Sequence, residues 1–365
     1  MVRDQHDGFN IQPSTNPTSA EARTAKIADP GFGNIFTDHM AVINYSQDKG
    51  WHDARIVARG PLSLDPATAV LHYAQEIFEG MKAYRLADGS IGLFRPQENA
   101  ARFNLSADRM AMPQIDENLF IEAIEQLVKI DMDWFPNVDG GSLYLRPFMF
   151  ASEVFLGVRP AKEYMFIVIA SPVGAYFKKG ADAVTIWASE NYSRAAKGGT
   201  GAAKCGGNYA ASLIAQAEAA KNGCDQVVFF DAAEHEWVEE LGGMNLFFIF
   251  DDGSILTPPL SGTILPGITR KSILQLAKDQ GLRVREERYS RQQWEDDSNS
   301  GKLLECFACG TAAVVSAVGK VKSSRGEFTI GNGSTGQMTV KLRQLLVDIQ
   351  RGNSDDSYGW VKKIT

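Results

Sequence analysis

Apolar residues recur along this chain with two periods, and the period changes from segment to segment. Phe36–Tyr45 and Asp53–Gly60 read as strands. Thr68–Met81 carries Val70, Leu71, Ala74, Ile77 and Phe78 at helical spacing and predicts a helix. Lys82–Phe94 predicts a hairpin turning at Asp88-Gly89. Two helices follow. One begins near Pro96 and carries Ala100, Phe103 and Leu105. The other, Glu117–Ile130, sets Phe120, Ile121, Ile124, Leu127 and Val128 in one stripe. Ser142–Ser152 and Glu163–Pro172 predict strands, the second apolar enough to be covered on both faces.

The second half opens with a strand at Ala183–Ala188. A loop rich in Gly and Ala, Ser193–Gly207, leads to a helix of small residues, Asn208–Lys221, stopped by Asn222-Gly223. Strand pairs turn at Ala232–Glu234 and Asp251-Asp252-Gly253. A helix is predicted at Ile268–Gln280, strands at Arg283–Arg288, Leu303–Val318 and Phe328–Ile330, and a last helix at Gln337–Gln350. Strands outnumber helices and hairpins are frequent, so the class expected is mixed α+β, not a doubly wound parallel sheet.

The 365 residues suggest two domains at roughly 100–200 residues each. The expected division is a loose arm over 1–30, a small N-terminal α/β domain over 31–174, a linker over 175–182 and a larger domain over 183–365. Pro172, Gly174, Lys178, Lys179 and Gly180 give the linker its character.

Composition narrows the partners. Basic residues number 37 against 44 acidic, a net charge of −7, and no Lys/Arg stripe is present, which argues against nucleic acid. The longest apolar run, Tyr164–Ala170, is far shorter than the roughly 20 residues a membrane span needs. The opening Met1–Asp7 lacks the apolar core of a secretory signal, so the cytoplasm is expected. Four cysteines are too few for a disulfide scaffold. Cys306 and Cys309 form a C-x-x-C, but the five histidines show no ligand spacing with it, and no metal is expected.

Gly331-Asn332-Gly333-Ser334-Thr335-Gly336 matches G-x-G-x-x-G. Only 29 residues follow it, too few for a dinucleotide fold, so it is read as a turn feeding the last helix.

Four segments carry candidate chemistry. In Ala202-Ala203-Lys204-Cys205-Gly206-Gly207-Asn208-Tyr209, a lysine stands among residues with almost no side chain. A flat cofactor held covalently by that lysine needs this clearing, and apolar surroundings suit a nucleophile and proton shuttle. In Val238-Glu239-Glu240-Leu241-Gly242-Gly243, Glu240 could hold a proton on a pyridine nitrogen. Leu265-Pro266-Gly267-Ile268-Thr269-Arg270 opens a helix, where backbone N–H groups and a Thr hydroxyl suit an anion. Cys309-Gly310-Thr311-Ala312-Ala313 is a small-residue turn of the same kind. Singly, these also fit a mobile Gly-rich loop, a solvated acidic turn and ordinary caps.

Together and in this order they resemble the branched-chain amino acid aminotransferases, pyridoxal 5′-phosphate enzymes of the D-alanine aminotransferase-like fold type IV. Phe36-Thr37-Asp38-His39-Met40, Leu71-His72-Tyr73-Ala74, Phe78-Glu79-Gly80-Met81-Lys82-Ala83-Tyr84 and Tyr144-Leu145-Arg146-Pro147 extend the likeness from about Phe32 to Trp360. The resemblance implies a two-domain transaminase acting on L-leucine, L-isoleucine or L-valine with 2-oxoglutarate. Lys204 matches the Schiff-base lysine, Glu240 the pyridinium partner and Tyr209 the donor to the phenolic oxygen. Arg102, Gly267, Ile268, Thr269 and Thr311 match the phosphate site. Gly310, Thr311 and Ala312, with Tyr144, match the α-carboxylate side, and Arg146 matches the residue for the distal carboxylate of glutamate. Phe32, Tyr73, Phe78 and Tyr176 match an apolar cage; Arg194 resembles a residue near the cofactor. Phe155-Leu156-Gly157-Val158 resembles a loop that closes the partner subunit's pocket, which implies a homodimer. The redox pair of some animal members falls on Ala313 and Ser316 here, so that switch does not carry over, and Val173 stands where some bacterial members have Trp. D-amino acid transamination, lyase chemistry on aminodeoxychorismate and a non-catalytic binding role are the alternatives.

Overall fold

A computed structural model describes residues 8–138, 140–174 and 183–364. These fall into two compact units. The first comprises the described residues of Met1–Tyr176 with Ala203–Gly206 and Ile349–Thr365, the second those of Phe177–Ala202 with Gly207–Asp348. The linker expected at 175–182 lies outside the described residues. Two pieces of the second half thus belong to the first unit: the lysine segment and the C-terminal tail.

The first unit is built on a nine-stranded sheet. Its order is Asn10–Ile11, Gly50–Ala58, His39–Ser46, Glu163–Val173, Ser142–Ala151, Met81–Arg85, Ile91–Phe94 and Val361–Ile364, with Glu76–Phe78 also paired to Ser142–Ala151. Only the Asn10–Ile11 pairing is parallel. The helices Pro96–Arg109 and Glu117–Ile130 cover one face. Pro at the first helical position and the Asp116 side chain, which accepts from Asn118 and Leu119 N–H, start them. Phe103, Phe120 and Phe166 meet beneath them with ring centroids 5.2–5.6 Å apart. Strand alternation puts Leu143 and Leu145 in this core and turns Tyr144 and Arg146 to the other face.

The helix expected over Thr68–Met81 is corrected by the structure. Val70–Tyr73 makes one turn, Ala74 takes a left-handed conformation (φ 49°), and Glu76–Phe78 continues as a strand against Phe148–Phe150. The apolar spacing there served two elements: Ile77 is buried in the sheet core, whereas Leu71 is exposed. Several elements escaped the sequence pattern, among them four longer or sheet-paired ones. Within 1–30 a helix spans Ala20–Ala28, capped by Ser19. Side chains help tie the arm down: His39 Nε2 accepts the N–H of Ser14, Asp38 accepts both the N–H and the hydroxyl of Thr18, and Arg23 donates to Asp133 at 3.0 Å. Asp131 sets the tautomer by pairing with His39 Nδ1 at 2.7 Å. The helix Arg291–Ser300, started by a capping box at Ser290 and Gln293, is polar enough to look like a loop. The strands Asn10–Ile11 and Val361–Ile364 are too short to be seen without their partners.

In the second unit six strands close on themselves: Val184–Ala188, Gln226–Phe230, Val238–Leu241, Met244–Phe250, Leu303–Gly310 and Val314–Ser323. The closed ring leaves no free edges among these strands. Leu303–Val318, read as one strand, is two, broken at Thr311–Ala313. Phe248, Leu246, Cys306, Val318 and Trp294 lie in its core. The final helix, Gln337–Arg351, explains the glycine motif: Glu305 accepts from the N–H groups of Met338 and Thr339, and a Cβ at Gly336 would strike that carboxylate. Among the described residues no helix is long and apolar enough to cross a membrane, and no group of His, Cys, Asp and Glu is set to hold a metal.

Candidate active site

Lys204 belongs to the first unit because its backbone is stitched there. Its N–H donates to the Ser106 hydroxyl at 3.0 Å, and its carbonyl accepts from the N–H of Phe78 at 2.9 Å. Glu76 fixes the next turn by accepting the N–H of Gly206, where a Cβ would strike the carboxylate. These bonds set the Lys204 ammonium 5.0 Å from the centre of the Phe78 ring. The Arg146 guanidinium lies 4.8 Å from the same ring and donates to the Tyr144 hydroxyl at 3.0 Å. Phe32 meets Tyr144 edge-on at 5.1 Å. Gly80 permits this, since a Cβ there would collide with the Tyr144 oxygen.

Arg102 reaches Glu79 through two parallel bonds, and Asn99 donates to the same carboxylate at 2.7 Å. Burial works to raise the Glu79 pKa, but the charge and hydrogen bonds of Arg102 outweigh it and hold the carboxyl below its ordinary range. For Glu76 the balance is reversed: burial raises its pKa against the Gly206 bond and the charge of Arg146.

The second unit gathers its own set. Glu240, on Val238–Leu241, pairs with Arg194, and both are buried. Arg194 also donates to the carbonyls of Gly201, at 2.9 Å, and Thr263. One guanidinium therefore joins the strand carrying Glu240 to the loops on either side. The neighbouring Glu239 faces the other way, as strand alternation requires, and accepts the Thr263 hydroxyl. Gly267 caps the helix Ile268–Asp279 and lies against Asn245, whose side chain donates to the Leu265 carbonyl at 3.1 Å. Thr269 is buried in the first turn. Gly310, Thr311 and Ala312 form the turn between the paired strands Leu303–Gly310 and Val314–Ser323. Gly243 runs beside Tyr209, where a Cβ would lie 3.3 Å from the ring.

Of the expected residues, the first unit thus brings together Lys204, Phe78, Tyr144, Arg146 and Phe32, with Arg102 on Glu79. The second brings together Glu240 and Arg194. Tyr73 and Val158 are not in the first cluster: the Tyr73 hydroxyl donates to the Leu156 carbonyl in an exposed loop, and Val158 is 89% exposed. Tyr176 lies outside the described residues. Sequence reasoning gave no role to Glu76, Glu79, Asn99, Glu239, Thr263 or Asn245. Acids set between apolar neighbours, as in Ile77-Phe78-Glu79, were the available signal.

Residues 76–321 match the family described as Amino-transferase class IV. The chain is 53% identical over 360 residues to a Branched-chain-amino-acid aminotransferase of Mycolicibacterium smegmatis, covering 98% of each. It is 56% identical over 354 residues to a Probable branched-chain-amino-acid aminotransferase of Streptomyces coelicolor, covering 97% of this chain and 98% of that one. Among solved structures it is similar to the branched-chain amino acid aminotransferase of Escherichia coli, with a TM-score of 0.74 and 28% identity over 89% of this chain and 100% of that one. A second solved branched-chain amino acid aminotransferase, from T.th. and holding pyridoxamine 5′-phosphate, is similar with a TM-score of 0.73 and 29% identity over 89% and 99%.

Proposed function

The chain belongs to the class IV aminotransferases, and on that premise we propose that it moves the amino group of L-leucine, L-isoleucine or L-valine to 2-oxoglutarate. Its fold is the α+β type IV aminotransferase fold, and the family's cofactor is pyridoxal 5′-phosphate. The donor set fits that group: a lysine amine over an aromatic ring, a buried carboxylate, an arginine, and helix-start and turn N–H groups with Thr hydroxyls. When bound, the cofactor supplies an electron sink for charge developing at the substrate Cα.

In this reading Lys204 holds the cofactor's aldehyde and takes and returns the proton at substrate Cα. Glu240, positioned by Arg194, keeps a proton on the ring nitrogen, and Tyr209 donates to the phenolic oxygen. Arg102 is assigned to the phosphate, as are Gly267, Ile268, Thr269 and Thr311. The turn at Gly310–Ala312 and Tyr144 take the α-carboxylate. Phe32 and Phe78 enclose an apolar side chain, and Arg146 takes the distal carboxylate of glutamate. We place the enzyme in the cytoplasm as a homodimer. Supporting the dimer, the loop over 154–158 exposes Val154, Leu156 and Val158, more apolar surface than a monomer needs in one loop.

The observation that carries the reading is the shared Phe78 ring, with the lysine amine at 5.0 Å and the arginine at 4.8 Å. It sets the proton-transfer group beside a cation suited to a dicarboxylate. A panel of L- and D-donors with 2-oxoglutarate, run with and without added cofactor, tests it. Turnover of L-leucine, L-isoleucine and L-valine is expected; turnover of D-donors alone would overturn it. Borohydride reduction should label Lys204, and Lys204→Ala should lose activity by orders of magnitude.

A further inference from the structure

We propose that Glu76 sets the substrate preference of this site, acting as counter-charge to Arg146 when an apolar side chain is bound and opposing the distal carboxylate of glutamate when that is bound. The inference rests on the transaminase reading above.

The sheet register carries it. Glu76 opposes Phe150 and Phe78 opposes Phe148. Alternation then puts Glu76, Phe78, Tyr144, Arg146, Phe148 and Phe150 on one face. These six include the acid Glu76 and the base Arg146, and Lys82, which opposes Tyr144, shares the face. Arg146 is half-buried against the rings of Phe78 and Tyr144. Its Nε is buried with no hydrogen-bond partner, and it makes no ion pair, among the described residues. A guanidinium in that setting needs an anion, because its lost hydration is otherwise uncompensated. The charge of Arg146 works to lower the Glu76 pKa, and Glu76 Oε1 is bound by the N–H of Gly206. The Gly206 N–H therefore holds the carboxylate on the face that carries Arg146, and the two make no ion pair among the described residues.

Two ligands then feel Glu76 oppositely. Leucine brings no charge, and Glu76 offsets Arg146 at a distance. Glutamate brings its own carboxylate to Arg146, and the charge of Glu76 works against it. Lys82 opposite Tyr144, Arg146 and the Lys204 ammonium over Phe78 are cations on this side, and the Gly206 N–H is a neutral donor.

The test uses the holoenzyme and two ligands that lack an amino group, glutarate and 4-methylpentanoate, with dissociation constants measured by calorimetry. Glu76→Gln keeps an oxygen for the Gly206 N–H and removes the charge. It should tighten glutarate, weaken 4-methylpentanoate and move their ratio by about tenfold. The KM values of glutamate and leucine should move in the same opposite directions. Glu76→Asp, which keeps the charge, should stay nearer the original ratio. In an Arg146→Ala background, Glu76→Gln should leave 4-methylpentanoate binding unchanged. Equal weakening of both ligands, or the same shift without Arg146, would overturn the proposal and leave Glu76 a mere support of the lysine segment. If Glu76→Gln does not fold, Glu76→Thr is measured instead. An unmutated enzyme that binds neither ligand overturns the transaminase reading and this inference together; an unmoved ratio overturns this inference alone.

Discussion

Arg102 meets Glu79 edge to edge, Nε to one carboxylate oxygen at 2.7 Å and Nη2 to the other at 2.8 Å, with Glu79 wholly buried. The pair is further bound by Asn99 and by the N–H of Gly80. It fixes the helix Pro96–Arg109 to the start of the strand carrying Lys82 and Tyr84, and so orients a cation that the proposed function assigns to phosphate.

Removing one partner strands the other. Glu79→Gln should lower the unfolding free energy by about 3 kcal/mol or more in urea titrations at neutral pH. The pH dependence has a definite sign. The folded pKa of Glu79 lies below its unfolded value, so its stabilisation is complete above the unfolded pKa and fades as pH falls through the folded one. The unmutated protein should lose stability more steeply than the variant below about pH 4.5. Parallel curves would show that the pair contributes nothing.

Gly80→Ala should act on substrate choice. The added methyl displaces the Tyr144 hydroxyl and with it the 3.0 Å bond from Arg146. A hydrogen bond to a charged group contributes about 1.5–3 kcal/mol, so KM for glutamate should rise roughly tenfold or more. KM for leucine should rise less. A larger effect on leucine would mean that Tyr144 does not position Arg146.

Arg194→Lys keeps the charge but not the reach. A single ammonium cannot hold Glu240 and the carbonyls of Gly201 and Thr263 with planar geometry. Cofactor affinity, followed by absorbance after dialysis, should weaken by about tenfold, and the band should shift its pH profile as Glu240 loses its fixed partner. Retention of both would make Arg194 a structural residue only.

Cys306 and Cys309 should form no disulfide in the folded protein. Residues three apart in a strand face opposite sides with Cα atoms about 10 Å apart, beyond disulfide reach. The register confirms the strand, with Cys306 opposite Phe248 and Cys309 opposite Asn245. Burial also pushes both thiols up, which starves them of thiolate. Peptide maps of oxidant-treated enzyme, reduced and unreduced, should coincide; a linked 306–309 peptide would refute this.

Much of the fold was legible because burial leaves a periodic trace. Glu117–Ile130 was legible to the residue, since seven of its side chains are buried on one stripe and Asp116 marks its start. Thr68–Met81 misled for the same reason: apolar spacing reports which residues are covered, and both a helical turn and a strand could bury Ile77. Arg291–Ser300 was invisible because only Trp294 and Ser298 turn inward.

By itself the sequence offered the candidate groups: a lysine cleared by small neighbours, an acid pair, two small-residue turns, and the arginines that the proposed function assigns to carboxylate and phosphate. These are local facts, written in spacing and residue size. Which groups answer one another was decided by tertiary structure alone. Glu79 is 23 positions from Arg102, Glu240 lies 46 beyond Arg194, and Gly206 is 130 from Glu76. No periodicity records such pairings, because charge is balanced through space and the chain brings those partners together only when the sheets have formed.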